Sequence, residues 1–127
     1  MIVDRGTNIE AWLVSDGRVL ASAVCAASAR DRRRGLLGRT SVEGALVLAP
    51  CRWIHTIGMR FDIDVAYLDA DGVVVKTVHM RRLRIGAPVM RARSVIEAQG
   101  GAFARWGVRM GDVIEVRTGS VDAGAGR

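Results

Sequence analysis

The sequence predicts an α+β fold that is mostly β: a compact antiparallel sheet of about seven short strands, curled into a small barrel, with one or two short helices. Short apolar runs recur along the chain, as expected for strands that are at least half buried. Turn signals separate these runs, and Asp16-Gly17 between two of them is typical of a hairpin. No long helix follows a strand, which disfavours parallel crossover folds.

The elements follow from these runs in chain order. A basic helix begins near Ser28 and ends before Gly38, and a short helix carries Phe103 and Trp106 toward the core. Near the end of a return strand, His79 is expected to be a partly exposed strand residue. The predicted strands are Ile9–Val14, Arg18–Val24, Gly44–Ala49, Ile63–Leu68, Val73–Met80, Ser94–Ala98 and a last strand within Val108–Val116.

Length and composition predict one domain. The chain has 127 residues, half of them hydrophobic, so residues 1–117 are long enough to bury a core as a single globular domain. Residues 118–127 are rich in Gly and Ala and are predicted to be a disordered tail. With two cysteines, no signal-peptide pattern and no apolar run long enough to span a membrane, we expect a cytoplasmic protein with reduced thiols.

The chain is basic, with 19 Lys and Arg against 13 Asp and Glu and a formal net charge of +6. Lys76 is its one lysine, and the preference for arginine together with abundant Ala, Gly and Val is typical of a GC-rich bacterial genome. Nucleic-acid binding is therefore not the preferred interpretation. The candidate anion-binding residues are Arg34, Arg82 and Arg84.

Reactive side chains concentrate in residues 51–64, between two runs that read as buried strands. Trp53, Ile54, Phe61 and Ile63 are expected in the core. The rest of the stretch favours a small binding pocket, because polar and soft side chains between buried strands are how pockets in small β domains are lined. The candidate ligand-binding residues are His55, Thr56, Met59 and Arg60, with Asp64 and Glu97 behind them as orienting carboxylates.

Three enzymatic alternatives use the same stretch. Cys51 and His55 are residue types for a nucleophile and its base, but their spacing does not ensure contact. His55 with carboxylates has ligand types for a metal without a recognisable spacing, so no metal or cofactor is assigned. Asp62, Asp64 and Glu97 are suited to acid-base chemistry. The preferred interpretation is a non-catalytic binding or accessory module that has a pocket around His55, Met59 and Glu97 and an unknown small ligand or protein partner. The alternative is a hydrolase or metal-dependent enzyme.

Several ordered motifs resemble those of a known family. Arg34-Gly35-Leu36-Leu37-Gly38-Arg39 resembles its Arg-x-Gly-Leu-Met-Gly-Arg box, and residues 53–64 resemble its central signature Trp-Ile-His-Thr-x-Gly-Met-Arg-Phe-x-Ile-Asp. Glu97 with Gly101, and Gly111-Asp112, resemble its closing elements. The chain is thereby similar to the uncharacterised prokaryotic family called domain of unknown function 192. The resemblance implies a compact, mostly antiparallel β domain with a small helical part and no established reaction; Asp62 stands where the family commonly has proline.

Overall fold

The computed structural model describes residues 8–26, 35–36 and 42–118. This part of the chain forms one mixed sheet whose strand order is β5-β4-β6-β3-β2-β1-β7. A strand is present for each prediction, but the last one lies later than predicted and ends at Thr118, the first residue of the predicted tail. The strands are β1 (Asn8–Ser15), β2 (Arg18–Ala26), β3 (Ala45–Leu48), β4 (Ile63–Leu68), β5 (Val74–Met80), β6 (Ser94–Gln99) and β7 (Glu115–Thr118).

The first hairpin forms because its turn sequence suits its geometry. Asp16 and Gly17 both have positive φ, at 55° and 76°, which a two-residue turn between twisted antiparallel strands requires. One short helix, α1 (Ala102–Trp106), lies in the described residues. The predicted early helix lies outside them except for Gly35 and Leu36, and residues 119–127 of the predicted tail lie outside them as well.

The predicted antiparallel sheet contains one pair that is parallel. β2 and β3 run parallel, with Ala23 opposite Ala45 and Ala26 opposite Leu48. Residues 27–44 connect these strands, and a connection of a dozen or more residues is long enough to return the chain to the same end of the sheet. The helix that the sequence predicts between these strands, from near Ser28 to before Gly38, is short, so it did not indicate a parallel crossover.

The strand pairing leaves the sheet open between β5 and β7, so the predicted small barrel is not confirmed. The two edges nevertheless meet at one corner. Val73 forms an isolated antiparallel bridge with Val113, and the Val74 amide donates to the Asp112 carbonyl at 2.8 Å. The corner lies at the turn end of the β4-β5 hairpin, and the edges do not pair beyond it within the described residues.

Both faces of the central strands are buried. On β4, Val65 and Tyr67 belong to one apolar cluster with Leu36, whereas Ala66 and Leu68 belong to the other. The second cluster includes Phe103 of α1, whose ring lies 5.9 Å from that of Trp106. Because strands alternate side chains between faces and both faces are buried here, β3 is a continuous apolar run and β4 is interrupted only by Asp64.

In the described part of the chain, no helix is long and apolar enough to cross a membrane.

The start of the parallel β2-β3 pair requires a glycine at position 44. Its φ is +71°, and a Cβ at this position would overlap the carbonyl oxygen and hydroxyl of Ser22. We expect Gly44→Ala to lower the free energy of unfolding by about 1–2 kcal/mol for the left-handed backbone and by about 1–3 kcal/mol more for the overlap. Denaturant unfolding measures the difference.

Gly17→Ala is the matched control. Gly17 also has positive φ, but nothing lies within 4 Å of the position that a Cβ would take, so alanine there carries the backbone cost alone. Equal losses in the two variants would show that the overlap with Ser22 is relieved at no cost.

Candidate functional site

Thr56 shapes a turn that carries three exposed arginines, Arg81, Arg82 and Arg84. It is fully buried, and its hydroxyl donates to the Arg81 carbonyl at 2.6 Å while accepting from the Arg84 amide at 2.7 Å. The Thr56 amide also donates to the Arg84 carbonyl at 2.7 Å, and the Leu83 amide donates back to the Thr56 carbonyl at 3.1 Å. The threonine therefore holds residues 81–84 in a tight turn, with Leu83 at a positive φ of 62°.

Asp64 ties three elements together. It lies at the start of β4 and is 7% exposed. Its Oδ2 accepts from the amides of Gly101 and Phe103 at 3.0 Å each, so it satisfies donors at the start of α1. Its Oδ1 lies 2.8 Å from Nδ1 of His79, the residue opposite it on β5. The carboxylate thus serves as a structural anchor and also orients an imidazole.

His79 stands at one wall of an open cleft. The cleft has a volume of about 520 Å³, and its lining residues are Asp62, His79, Arg81, Arg82, Leu83 and Arg84. The His79 side chain is 52% exposed, and its Nε2 lies 3.7 Å from Oδ2 of Asp62. Asp62 Oδ1 accepts from the Arg82 amide at 3.1 Å, which fastens the arginine turn to the sheet.

The charge of the cleft is positive. Three arginines line it against one carboxylate, and His79 adds a positive charge when it is protonated. Arginine guanidinium groups present several N–H donors in a fixed plane that matches phosphate and carboxylate oxygens. The arrangement is therefore suited to an anionic ligand. Of the three candidate anion-binding residues, Arg82 and Arg84 lie here, and Arg34 lies outside the described residues.

Glu97 is a buried carboxyl in the sheet interior. It is 3% exposed and lies between Leu46 and Val65 on adjacent strands. Burial raises its pKa to about 7, although a hydrogen bond from the Leu36 backbone acts in the opposite direction. Its Oε1 has no hydrogen-bond partner. A Cβ on Gly35 would lie 3.1 Å from that oxygen, so a glycine there lets the backbone close over the carboxyl.

Glu97 belongs to a wider polar cluster inside the apolar core. Burial, followed by the nearby Cys51 and Glu97 side chains, raises the pKa of Tyr67 to about 12. The half-buried Cys51 thiol also contacts the Trp53 carbonyl oxygen at 3.4 Å. Burial favours the neutral forms of Tyr67 and Glu97, so both side chains are uncharged when Glu97 is protonated.

The remaining candidates of the central stretch are spread over different environments. Met59 is buried in the core, Arg60 is exposed, and His55 is half buried with an Nδ1 that has no hydrogen-bond partner. None of the six candidate ligand-binding residues lines the cleft, although Asp64 supports His79 from behind it. A pocket around His55, Met59 and Glu97 stays a prediction.

Two expectations from the sequence need correction or extension. The sequence predicts Trp53 in the core, but it is 45% exposed because its indole N–H reaches the Gly86 carbonyl at 2.7 Å across the surface. The sequence assigns His79 to the strand alone and not to the site. The hairpin predicted from residues 63–80 already sets it near Asp64 across the two strands, and that register is the signal that would have found the pair.

Metal binding gains no support from the described residues. Within 8–26, 35–36 and 42–118, no group of three or more His, Cys, Asp or Glu side chains is arranged to hold a metal ion.

Glu97 makes stability depend on pH in a defined direction. In the unfolded chain its pKa is the ordinary 4.5, whereas in the fold it is about 7. As pH rises, the unfolded state therefore releases this proton first. The contribution of protonated Glu97 to the free energy of unfolding is fully present below pH 4.5 and is lost progressively between pH 4.5 and about pH 7. The loss is roughly 3 kcal/mol in the free energy of unfolding.

We expect Glu97→Gln, which keeps the side chain neutral, to unfold at a higher denaturant concentration than the wild type at pH 8 and at a similar one at pH 5. Glu10→Gln is the control, since Glu10 is exposed on β1. A pH slope of stability that is the same in wild type and Glu97→Gln would contradict the assignment.

Two solved structures are similar to this chain. A protein of unknown function from Novosphingobium aromaticivorans DSM 12444 matches with a TM-score of 0.71 and 18% identity, covering 85% of this chain and 84% of its own. A putative transcription regulator from Sinorhizobium meliloti 1021 matches with a TM-score of 0.70 and 18% identity, covering 86% of this chain and 93% of its own. At this identity the likeness concerns the fold.

No curated protein matches the chain. The family model of domain of unknown function 192, described as an uncharacterized ACR, matches residues 11–116. That match includes the Gly35 and Glu97 pair and the Asp64 anchor together with Gly101. The chain therefore belongs to the family called domain of unknown function 192.

Proposed function

We propose that the chain is a small binding module that takes an anionic ligand, with a phosphate or carboxylate group, in the cleft beside His79. The observation that supports this is the cleft itself, in which Arg81, Arg82 and Arg84 surround about 520 Å³ of open space. A concave site with convergent polar groups is the usual form of a small-ligand site.

The cleft is pre-formed by contacts that need no ligand. Thr56 holds the turn of residues 81–84 through its hydroxyl and its backbone. Asp64 holds His79, and Asp62 holds the Arg82 amide. A site whose walls are already ordered loses less entropy on binding. The anion then replaces water around arginine side chains that are exposed.

Inorganic phosphate is the first probe, and acetate is the second. We expect saturable binding of phosphate by calorimetry, and we expect the double variant Arg82→Gln/Arg84→Gln to weaken it roughly tenfold or more, because hydrogen bonds to charged groups contribute about 1.5–3 kcal/mol each. Arg109→Gln is the matched control: Arg109 is exposed near the corner where residues 111–114 meet β5, at the other end of the β4-β5 hairpin. Equal affinity in all three proteins would refute the assignment.

A second candidate is hydrolysis of an anionic ester, and one observation favours it. Asp64 Oδ1 lies 2.8 Å from Nδ1 of His79, and in the tautomer with its proton on Nδ1 the imidazole has Nε2, 3.7 Å from Oδ2 of the cleft residue Asp62, as an acceptor for a water proton. In this version of the enzymatic alternative, His79 takes the role that the sequence suggested for His55, with Asp64 as the orienting carboxylate.

Hydrolysis of 4-nitrophenyl phosphate tests this candidate. We expect a slow release of nitrophenolate from the wild type that His79→Gln reduces by about 10²-fold or more, as loss of a general base does. His55→Gln is the control, because His55 does not line the cleft. Release that does not differ between wild type and His79→Gln removes the candidate and leaves the binding function standing.

A further inference from the structure

The net charge of the protein is concentrated in two segments. Residues 51–61 and 81–93 contain seven of the 19 basic residues, all arginines, and no Asp or Glu. The rest of the chain has 12 basic and 13 acidic residues, so it is nearly neutral. All seven arginines are exposed.

The fold places these two segments side by side. Backbone hydrogen bonds join them from one end to the other, and His55 forms an antiparallel bridge with Ile85. We name the pair of segments, residues 51–61 with residues 81–93, the arginine ribbon. The bonds are Cys51 N to Arg93 O, Val89 N to Arg52 O, Gly86 N to Ile54 O, Thr56 N to Arg84 O and Leu83 N to Thr56 O, at 2.7 to 3.1 Å.

The arginine ribbon also exposes large apolar side chains. Along its first segment Ile54 and Thr56 are buried while Trp53 and Ile57 point outward, as the alternation of an extended chain requires. On the second segment Leu83 and Ile85 are each 66% exposed. The exposed apolar set is Trp53, Ile57, Leu83, Ile85 and Met90.

We propose that the arginine ribbon is a docking surface for anionic lipid at a bilayer surface, with the lipid phosphate as the anion that enters the cleft. This proposal rests on the anion-binding function above, because Arg81, Arg82, Leu83 and Arg84 belong to both. Arginines near the surface are attracted by the negative potential of the leaflet, and the apolar side chains between them enter the headgroup region. A tryptophan among aliphatic side chains is the composition found at membrane interfaces.

The aliphatic side chains favour lipid over nucleic acid. A nucleic acid also attracts arginines, but its bases stack on aromatic rings, and its backbone offers no apolar partner to Ile57, Leu83 or Ile85. A bilayer removes these same side chains from water. The sequence predicts a cytoplasmic protein, which would meet the anionic cytoplasmic leaflet.

The test is co-sedimentation of the full chain with vesicles. We expect binding to vesicles of phosphatidylglycerol mixed with phosphatidylcholine, no binding to phosphatidylcholine alone, and a decrease with added salt. Ile57→Ser/Ile85→Ser is expected to weaken vesicle binding roughly tenfold or more while phosphate binding by calorimetry is unchanged, since neither residue lines the cleft. Both side chains are at least half exposed, so the variant is expected to fold.

Met110→Ser/Val113→Ser is the matched control, because these residues are 63% and 54% exposed at the other end of the β4-β5 hairpin. Arg82→Gln/Arg84→Gln is expected to weaken both phosphate and vesicle binding. No sedimentation with phosphatidylglycerol, or binding to a single-stranded oligonucleotide tighter than to vesicles, overturns the proposal. If the chain still binds phosphate when the lipid proposal fails, the proposed anion-binding function stands. If the chain does not bind phosphate, the proposed function itself is refuted.

Discussion

The arrangement of the site depends on the hydrogen bonds of the buried Asp64 carboxylate. It accepts two backbone hydrogen bonds at the start of α1 and holds the imidazole of His79 on the neighbouring strand. A carboxylate that is 7% exposed is stable only when its oxygens are satisfied in this way. The same contacts that satisfy it also join β4, β5 and α1, and they hold His79 at the wall of the cleft.

A second buried carboxyl, Glu97, connects motifs that are distant in sequence. The box at Gly35 and Leu36 closes over it, with a backbone hydrogen bond from Leu36, and a Cβ at position 35 would lie 3.1 Å from its Oε1. The glycine of the box and the closing glutamate are thus two halves of one contact. Unlike Asp64, Glu97 has an oxygen without a hydrogen-bond partner. Burial of this carboxyl raises its pKa to about 7.

The sheet and the arginine ribbon differ in composition and charge. The sheet buries apolar side chains on both faces and is nearly neutral in charge, whereas the arginine ribbon at one end carries an excess of seven positive charges. Thr56 joins the two, because it is fully buried and yet sets the turn that carries Arg81, Arg82 and Arg84. Membership of the family called domain of unknown function 192 accounts for the fold. The charge and exposed apolar side chains support the binding proposals.

The sequence by itself determined the local elements. Alternating apolar runs and turn chemistry such as Asp16-Gly17 predicted the seven strands and the short helix, because these depend on neighbours within a few residues. The motifs also indicated that Asp64 and Glu97 matter. The tertiary structure decided the parallel β2-β3 pair, the open sheet and the cleft beside His79. These depend on which distant segments come together, and hydrophobic periodicity carries no information about that pairing.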